Sequence, residues 1–131
     1  MKIKIGPYRK NRAFNIHIDD YDVWSLDHTL AYIIHPALIR LKETKHSYPE
    51  LWEDGMVKHH NWTRQLHFDF IDEEVESKYL MDKWNTIMDK MIYSFDVIMN
   101  DGLFDKYDQD EWYKIQEGLD LFAKHYTSLW D

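Results

Sequence analysis

A chain of 131 residues with a formal net charge of −8 suggests one domain around one core, and its acidity argues against broad binding to nucleic acid or anionic membranes. It has no cysteine, which excludes disulfides and thiolate metal sites and is compatible with the cytosol; no run approaches the roughly 20 apolar residues of a membrane span. Six Trp and nine Tyr are many for this length, and such rings either fill a small core or furnish a binding surface. The N-terminal lysines precede no long apolar run, so no signal peptide is expected.

Residues 1–20 read as a β-ribbon. Lys2-Ile3-Lys4-Ile5 alternates and stops at Gly6-Pro7; Ala13 to Ile18 alternates again, with Phe14, Ile16 and Ile18 on one face. The loop between them, Tyr8 to Arg12, carries Arg9, Lys10 and Arg12, the densest basic cluster of an acidic chain. Its plain reading is a solvated hairpin tip, and its sharper one an anion-binding loop. A two-stranded ribbon is not stable alone, so it is expected to lie on the helices or to pair with another copy.

Residues 24–46 predict a long helix. Ser25 suits the N-cap and Asp27 the first turn. Leu26, Leu30, Ile33, Ile34, Ala37, Leu38 and Leu41 form an apolar face, with His28, Tyr32 and His35 running beside it. Pro36 removes a backbone bond to Tyr32, which predicts a kink and a free carbonyl near two histidines. Residues 50–70 read as irregular or as a short helix broken at Gly55, with Leu66, Phe68 and Phe70 alternating as in an extended segment.

A second long helix spans 72–100, capped by Asp72 and with Glu73, Glu74 and Glu76 in its first turns. Leu80, Trp84, Ile87, Met91, Phe95 and Ile98 form its stripe; Met81, Met88, Ile92 and Met99 widen it enough to contact more than one neighbour. Asn100-Asp101-Gly102 ends it. The last helix covers 108–130, starting at Asp108 or Asp110, with Trp112, Ile115, Leu119, Phe122, Tyr126 and Leu129 in step. Gly118 within it costs about 1 kcal/mol relative to alanine, and close approach of another helix is the reason to expect. The fold class is therefore mainly α: a single domain, 1–131, built as a three-helix bundle, or four-helix if 50–70 adds one, with a short N-terminal β-ribbon.

Two constellations can carry chemistry. His28 and His35 share a helix face, and Glu43 and His46 make a Glu-x-x-His pair. Di-iron carboxylate bundles use two such pairs, so the pattern is half present. With Asp89 these residues are the candidates for a divalent metal; His59, His60, His67 and Asp69 can add to them. The plainer reading has His28 and His35 hydrogen-bonded to backbone. The second constellation is Asp82, Asp89 and Asp96, spaced by sevens, either a solvated face or an acidic line of which Asp89 meets the first helix. A helical pyrophosphohydrolase would hold magnesium on such acids, but Glu73, Glu74 and Glu76 have the wrong spacing for it. Nucleophile elbows, glycine-rich phosphate loops and basic recognition helices are all missing.

The run Asp22-Val23-Trp24-Ser25-Leu26-Asp27-His28-Thr29-Leu30-Ala31, then Ile34-His35-Pro36 and Leu41-Lys42-Glu43-Thr44-Lys45-His46, resembles an uncharacterised family of small proteins from tailed-phage genomes. The similarity continues at Trp84 to Phe95 and Gly118 to Asp131, covering most of the chain. The resemblance implies a phage origin and action in the host cytoplasm, and assigns no chemistry or functional residues. The leading expectation is a non-enzymatic, homo-oligomeric binding protein that takes a host protein or sequesters a nucleotide-like molecule, such as a host defence signal. In the nucleotide version Trp24 or Trp84 stacks a base, and Arg9, Arg12, Arg40 or Lys45 holds phosphate. The expected ligand-binding set is Trp24, Asp27, His28, His35, Arg40, Lys45, Trp84 and Asp89. The alternatives are a metal-dependent hydrolase using His28, His35, His46 and Asp89, and a virion or assembly component.

Overall fold

The structure, a computed structural model, describes residues 1–51, 73–101 and 108–131. In these the chain is mainly helical with an antiparallel ribbon at its start. Strands β1 (Lys2–Ile5) and β2 (Phe14–His17) pair Ile3 with Ile16 and Ile5 with Phe14, so the apolar side chains share one face; Lys2, Lys4, Asn15 and His17 take the other. Gly6 N–H closes the loop on the Ala13 carbonyl at 2.8 Å, and Arg12 Nε donates to the Gly6 carbonyl at 2.9 Å. A 3-10 turn, Asp20–Val23, leads into α1 (Leu26–Thr44). Helix α2 (Glu73–Asp101) and helix α3 (Gln109–His125) follow, and a 3-10 turn, Tyr126–Ser128, comes after them.

The helix starts follow the sequence, but the last helix, expected to run to 130, ends at His125 and gives way to the 3-10 turn. Ser25 is the N-cap of α1, although its hydroxyl makes no capping bond; the helix runs unbroken through Pro36. Asp108 caps α3, its carboxylate accepting from the Glu111 N–H at 2.8 Å. Asp72, Gly102 and most of the 50–70 stretch lie outside the described residues.

Helix α2 is the centre: α1 packs along one side of it and α3 along another, while α1 and α3 scarcely meet among the described residues. This arrangement explains the broad apolar face, since one helix must cover two neighbours. Leu80, Trp84, Met88, Met91, Phe95 and Ile98 are its buried positions, stepping by three and four, with Met88 at the centre and Ile87 half-buried at the edge.

Helix α1 presents a different edge from the one its hydropathy suggests. Ala31 and Leu38 are buried and Ile34 and Leu41 pack against the core, but Leu26, Leu30, Ile33 and Ala37 face outward. Ala31 is fully buried and Leu38 nearly so, so the edge that holds them is the one that turns inward.

On the other side, Phe122 of α3 meets Phe95 edge-on with ring centroids 4.9 Å apart. Buried Ser94 donates to the Ile115 carbonyl at 2.7 Å, and Gly118 sits against the same stretch of α2. His125 lies edge-on to Trp84 at 5.4 Å.

Burial holds the His125 imidazole below the usual histidine pKa, with the Lys124 charge adding to the effect. The folded state therefore resists protonation there, and stability is full above the unfolded value of about 6.5 and declines as pH falls below it towards the lowered folded value. Urea melts at a series of pH values should show this decline, and His125→Phe, which keeps a ring against Trp84, should flatten it. Equal slopes for the two proteins would contradict the assignment.

Candidate functional site

The polar line of α1 is a seam with α2. The two helices run antiparallel, so His35 and Lys42, seven apart on α1, meet Asp96 and Asp89, seven apart on α2. His28 Nε2 reaches the Met99 carbonyl. A carbonyl only accepts, so that nitrogen carries the proton, and the bond satisfies an orphan acceptor in the last turn of α2. His35 Nε2 stands 3.6 Å from Asp96 Oδ1. Lys42 pairs with Asp89. Lys45 Nζ bonds Asn85 and donates to the Lys42 carbonyl at 3.0 Å, closing the end of α1. Burial lowers the Lys45 pKa, the Lys42 charge adds to the effect, and Asp89 and Asp131 oppose it.

Asp89 thus meets the polar edge of α1, through Lys42 rather than a histidine. Lys42 was not among the expected residues; the signal for it was its place seven residues after His35, matching Asp89 seven residues before Asp96. Both members of the pair are partly exposed, and such a pair contributes at most about 1 kcal/mol.

The metal candidates do not converge. Glu43 stands near Arg40, and His46 Nδ1 pairs with Asp131 Oδ2 at 2.8 Å, while His28, His35 and Asp89 are engaged along the seam. Among the described residues no three His, Asp or Glu side chains gather as a ligand set. His59, His60, His67 and Asp69 lie outside the described residues. Asp131 has its pKa lowered by the His46 backbone N–H first and the His46 ring second.

The ligand-binding candidates are also dispersed. Trp84 is 2% exposed and packed within the core, so it offers no ring face to a base. Trp24 is 83% exposed at the head of α1, with Asp27 beyond it in the first turn. Arg40 and Lys45 lie near the other end of a 19-residue helix, about 28 Å long at 1.5 Å per residue. The set expected to hold one small ligand is spread along the whole of α1.

Two features stand at the ribbon end instead. Asp22 is buried, accepting from the Asp19 N–H at 2.8 Å and pairing with the Met1 ammonium at 2.7 Å. The ammonium and then the Asp19 N–H hold its carboxyl below the usual range. Asp19 is likewise lowered, by the Tyr21 hydroxyl and then His17. Around this acidic base the apolar groups are exposed: Ile18, Tyr21, Val23 and Trp24. At the tip of the ribbon the Arg12 guanidinium lies 5.5 Å over the Tyr8 ring, while Arg9 and Lys10 project into solvent.

No helix among the described residues is long and apolar enough to cross a membrane. Comparison with protein-family models, curated proteins and solved structures finds no match.

Proposed function

We propose that the chain is a phage-encoded, non-enzymatic binding protein acting in the host cytoplasm, with a host protein as its partner. The observation that carries this reading is the outer row of α1. Leu26, Leu30 and Ile33 are exposed at helical spacing, with Ala37 continuing the row, Trp24 at its head and Arg40 at its tail. Apolar anchors flanked by an exposed aromatic ring and an arginine are the composition of protein-binding surfaces. The pairwise engagement of the seam histidines and carboxylates supports binding over catalysis, since acid–base or metal chemistry needs such groups aimed at one point.

Tagged wild-type chain should retain one host protein at fixed stoichiometry from infected cells, and Ile33→Glu, altering only an exposed position, should lose it. Retention by Ile33→Glu would remove this surface from consideration. The nucleotide reading survives in one form, a base stacked on the open Trp24 ring. Titration with a broad nucleotide panel should leave tryptophan emission unchanged; quenching that disappears in Trp24→Phe would favour the small ligand over the protein.

A further inference from the structure

The ribbon carries an apolar face that the rest of the described chain leaves open. Ile3, Ile5, Phe14, Ile16 and Ile18 are each between 41% and 72% exposed. Ile3 with Ile16 and Ile5 with Phe14 make two adjacent cross-strand pairs, and Ile18 extends the row. Lys2, Lys4 and His17 point to the opposite face, so none of them would be trapped if the apolar face were covered. A free two-stranded ribbon is marginal in water, which gives this face a reason to find a cover.

The ends of the ribbon are oppositely charged. The tip carries Arg9, Lys10 and Arg12, and residues 1–18 contain no acid at all. The base carries Asp19, Asp20, Asp22 and Asp27, of which Asp20 and Asp27 are exposed. Tip and base are separated by four residues of strand, about 13 Å. A surface with a basic end, an apolar middle and an acidic end is complementary to itself when turned end for end. A two-fold axis through the middle of the face performs that turn.

We propose that a second copy of this chain covers the ribbon, the two ribbons packing face to face and antiparallel. Ile3 and Ile16 of each copy meet at the centre, and Phe14 and Ile5 of each pack towards Ile18 of the other. Arg9 and Lys10 of each tip lie over Asp20 and Asp27 of the other's base. The five apolar side chains offer on the order of 500 Å² of apolar surface per copy. Two copies then bury about 1,000 Å², the lower bound for a specific interface. Tyr8 at one end and Tyr21 at the other, both exposed, extend the contact beyond that bound. The dimer leaves the outer row of α1 available and does not depend on what that row binds.

The test is sedimentation equilibrium of the full chain over a wide concentration range. Wild type should approach twice the 16.1 kDa chain mass. Phe14→Glu places a charge on a side chain that is already open in the single copy, so helical circular dichroism should stay at the wild-type level. Dimer affinity should drop about a hundredfold, as expected for burying a charge in place of the one aromatic anchor of the face. Should that variant lose its fold, the charges supply an independent arm. Arg9→Glu with Lys10→Glu should weaken the dimer, Asp20→Lys should weaken it as well, and the combination should recover affinity. A wild type that stays at the single-chain mass throughout overturns the proposal. So does a dimer that Phe14→Glu leaves intact, or one indifferent to both charge reversals.

Discussion

Replacing Trp84 with alanine should lower the free energy of unfolding by about 3–5 kcal/mol, the range for emptying a buried tryptophan site. Trp84 is part of the buried row of α2, one turn before Met88, and touches His125 of α3 edge-on. Its removal takes away transfer free energy and leaves a cavity between α2 and α3. Folded domains have only about 5–15 kcal/mol to lose, so the midpoint of a urea melt should fall sharply with the slope unchanged. Trp84→Phe, which keeps a ring in the site, should lose much less. Emission gives a second reading. Trp24, Trp112 and Trp130 are exposed, so the loss of Trp84 should remove the most blue-shifted component among the described tryptophans. A loss below about 1 kcal/mol would mean that the core does not close around this ring.

Gly118→Ala is the second large effect, and its sign runs against helix propensity. In an open helix the change would stabilise by about 1 kcal/mol. Here a Cβ at 118 would stand 1.9 Å from Ser94 Oγ, 2.8 Å from Ser94 Cβ and 2.3 Å from the Lys90 carbonyl oxygen. The hydroxyl can rotate, but the carbonyl belongs to the backbone of α2 and yields only if the helices separate. Overpacking of this kind costs about 1–3 kcal/mol and occasionally more, so after the helix-propensity gain the net result is a loss of up to about 2 kcal/mol in chemical denaturation. Ser94→Gly in the same chain should recover only part of it, because the Lys90 carbonyl remains. Full recovery would place the conflict at the Ser94 side chain alone.

These positions show how far the sequence could be read. Trp84 fell in a stripe of period three to four, and Gly118 interrupted a strong helix where only a close neighbour justifies a glycine. Both signals are local, and both point to a packed surface. Neither names the element packed there, and that is why Trp84 also looked like a stacking platform. A tryptophan on an apolar stripe looks the same in sequence whether the stripe is covered or open; its 2% exposure is a property of α3 lying over it.

The candidate site was harder to read for the same reason. The histidines of α1 and the aspartates of α2 each repeat by seven, so each series was visible as a line. Whether two lines converge on a metal or zip pairwise into a seam depends on the relative shift of two helices joined through a long connection. The antiparallel register puts Asp89 opposite Lys42 and Asp96 opposite His35, which spends these groups in pairs. The hydropathy of α1 misled in a related way. Leu26, Leu30, Ile33 and Ala37 look as inward as Ala31, Ile34, Leu38 and Leu41, and only the packing against α2 chose the second edge.

By itself the sequence determined the β-ribbon, the three helices, the start of α3 to within Asp108 or Asp110, the need for close approach at Gly118 and the basic cluster at the ribbon tip. All of these rest on spacing of three or four, on alternation, or on residue types whose backbone preferences act within a turn. Only the tertiary structure decided that α2 lies between α1 and α3, that Trp84 is enclosed, that the seam pairs its charges and that the ribbon face and the outer row of α1 are left open by the described residues. Those outcomes rest on contacts between residues tens of positions apart, where burial is shared among elements and no local preference selects the partner.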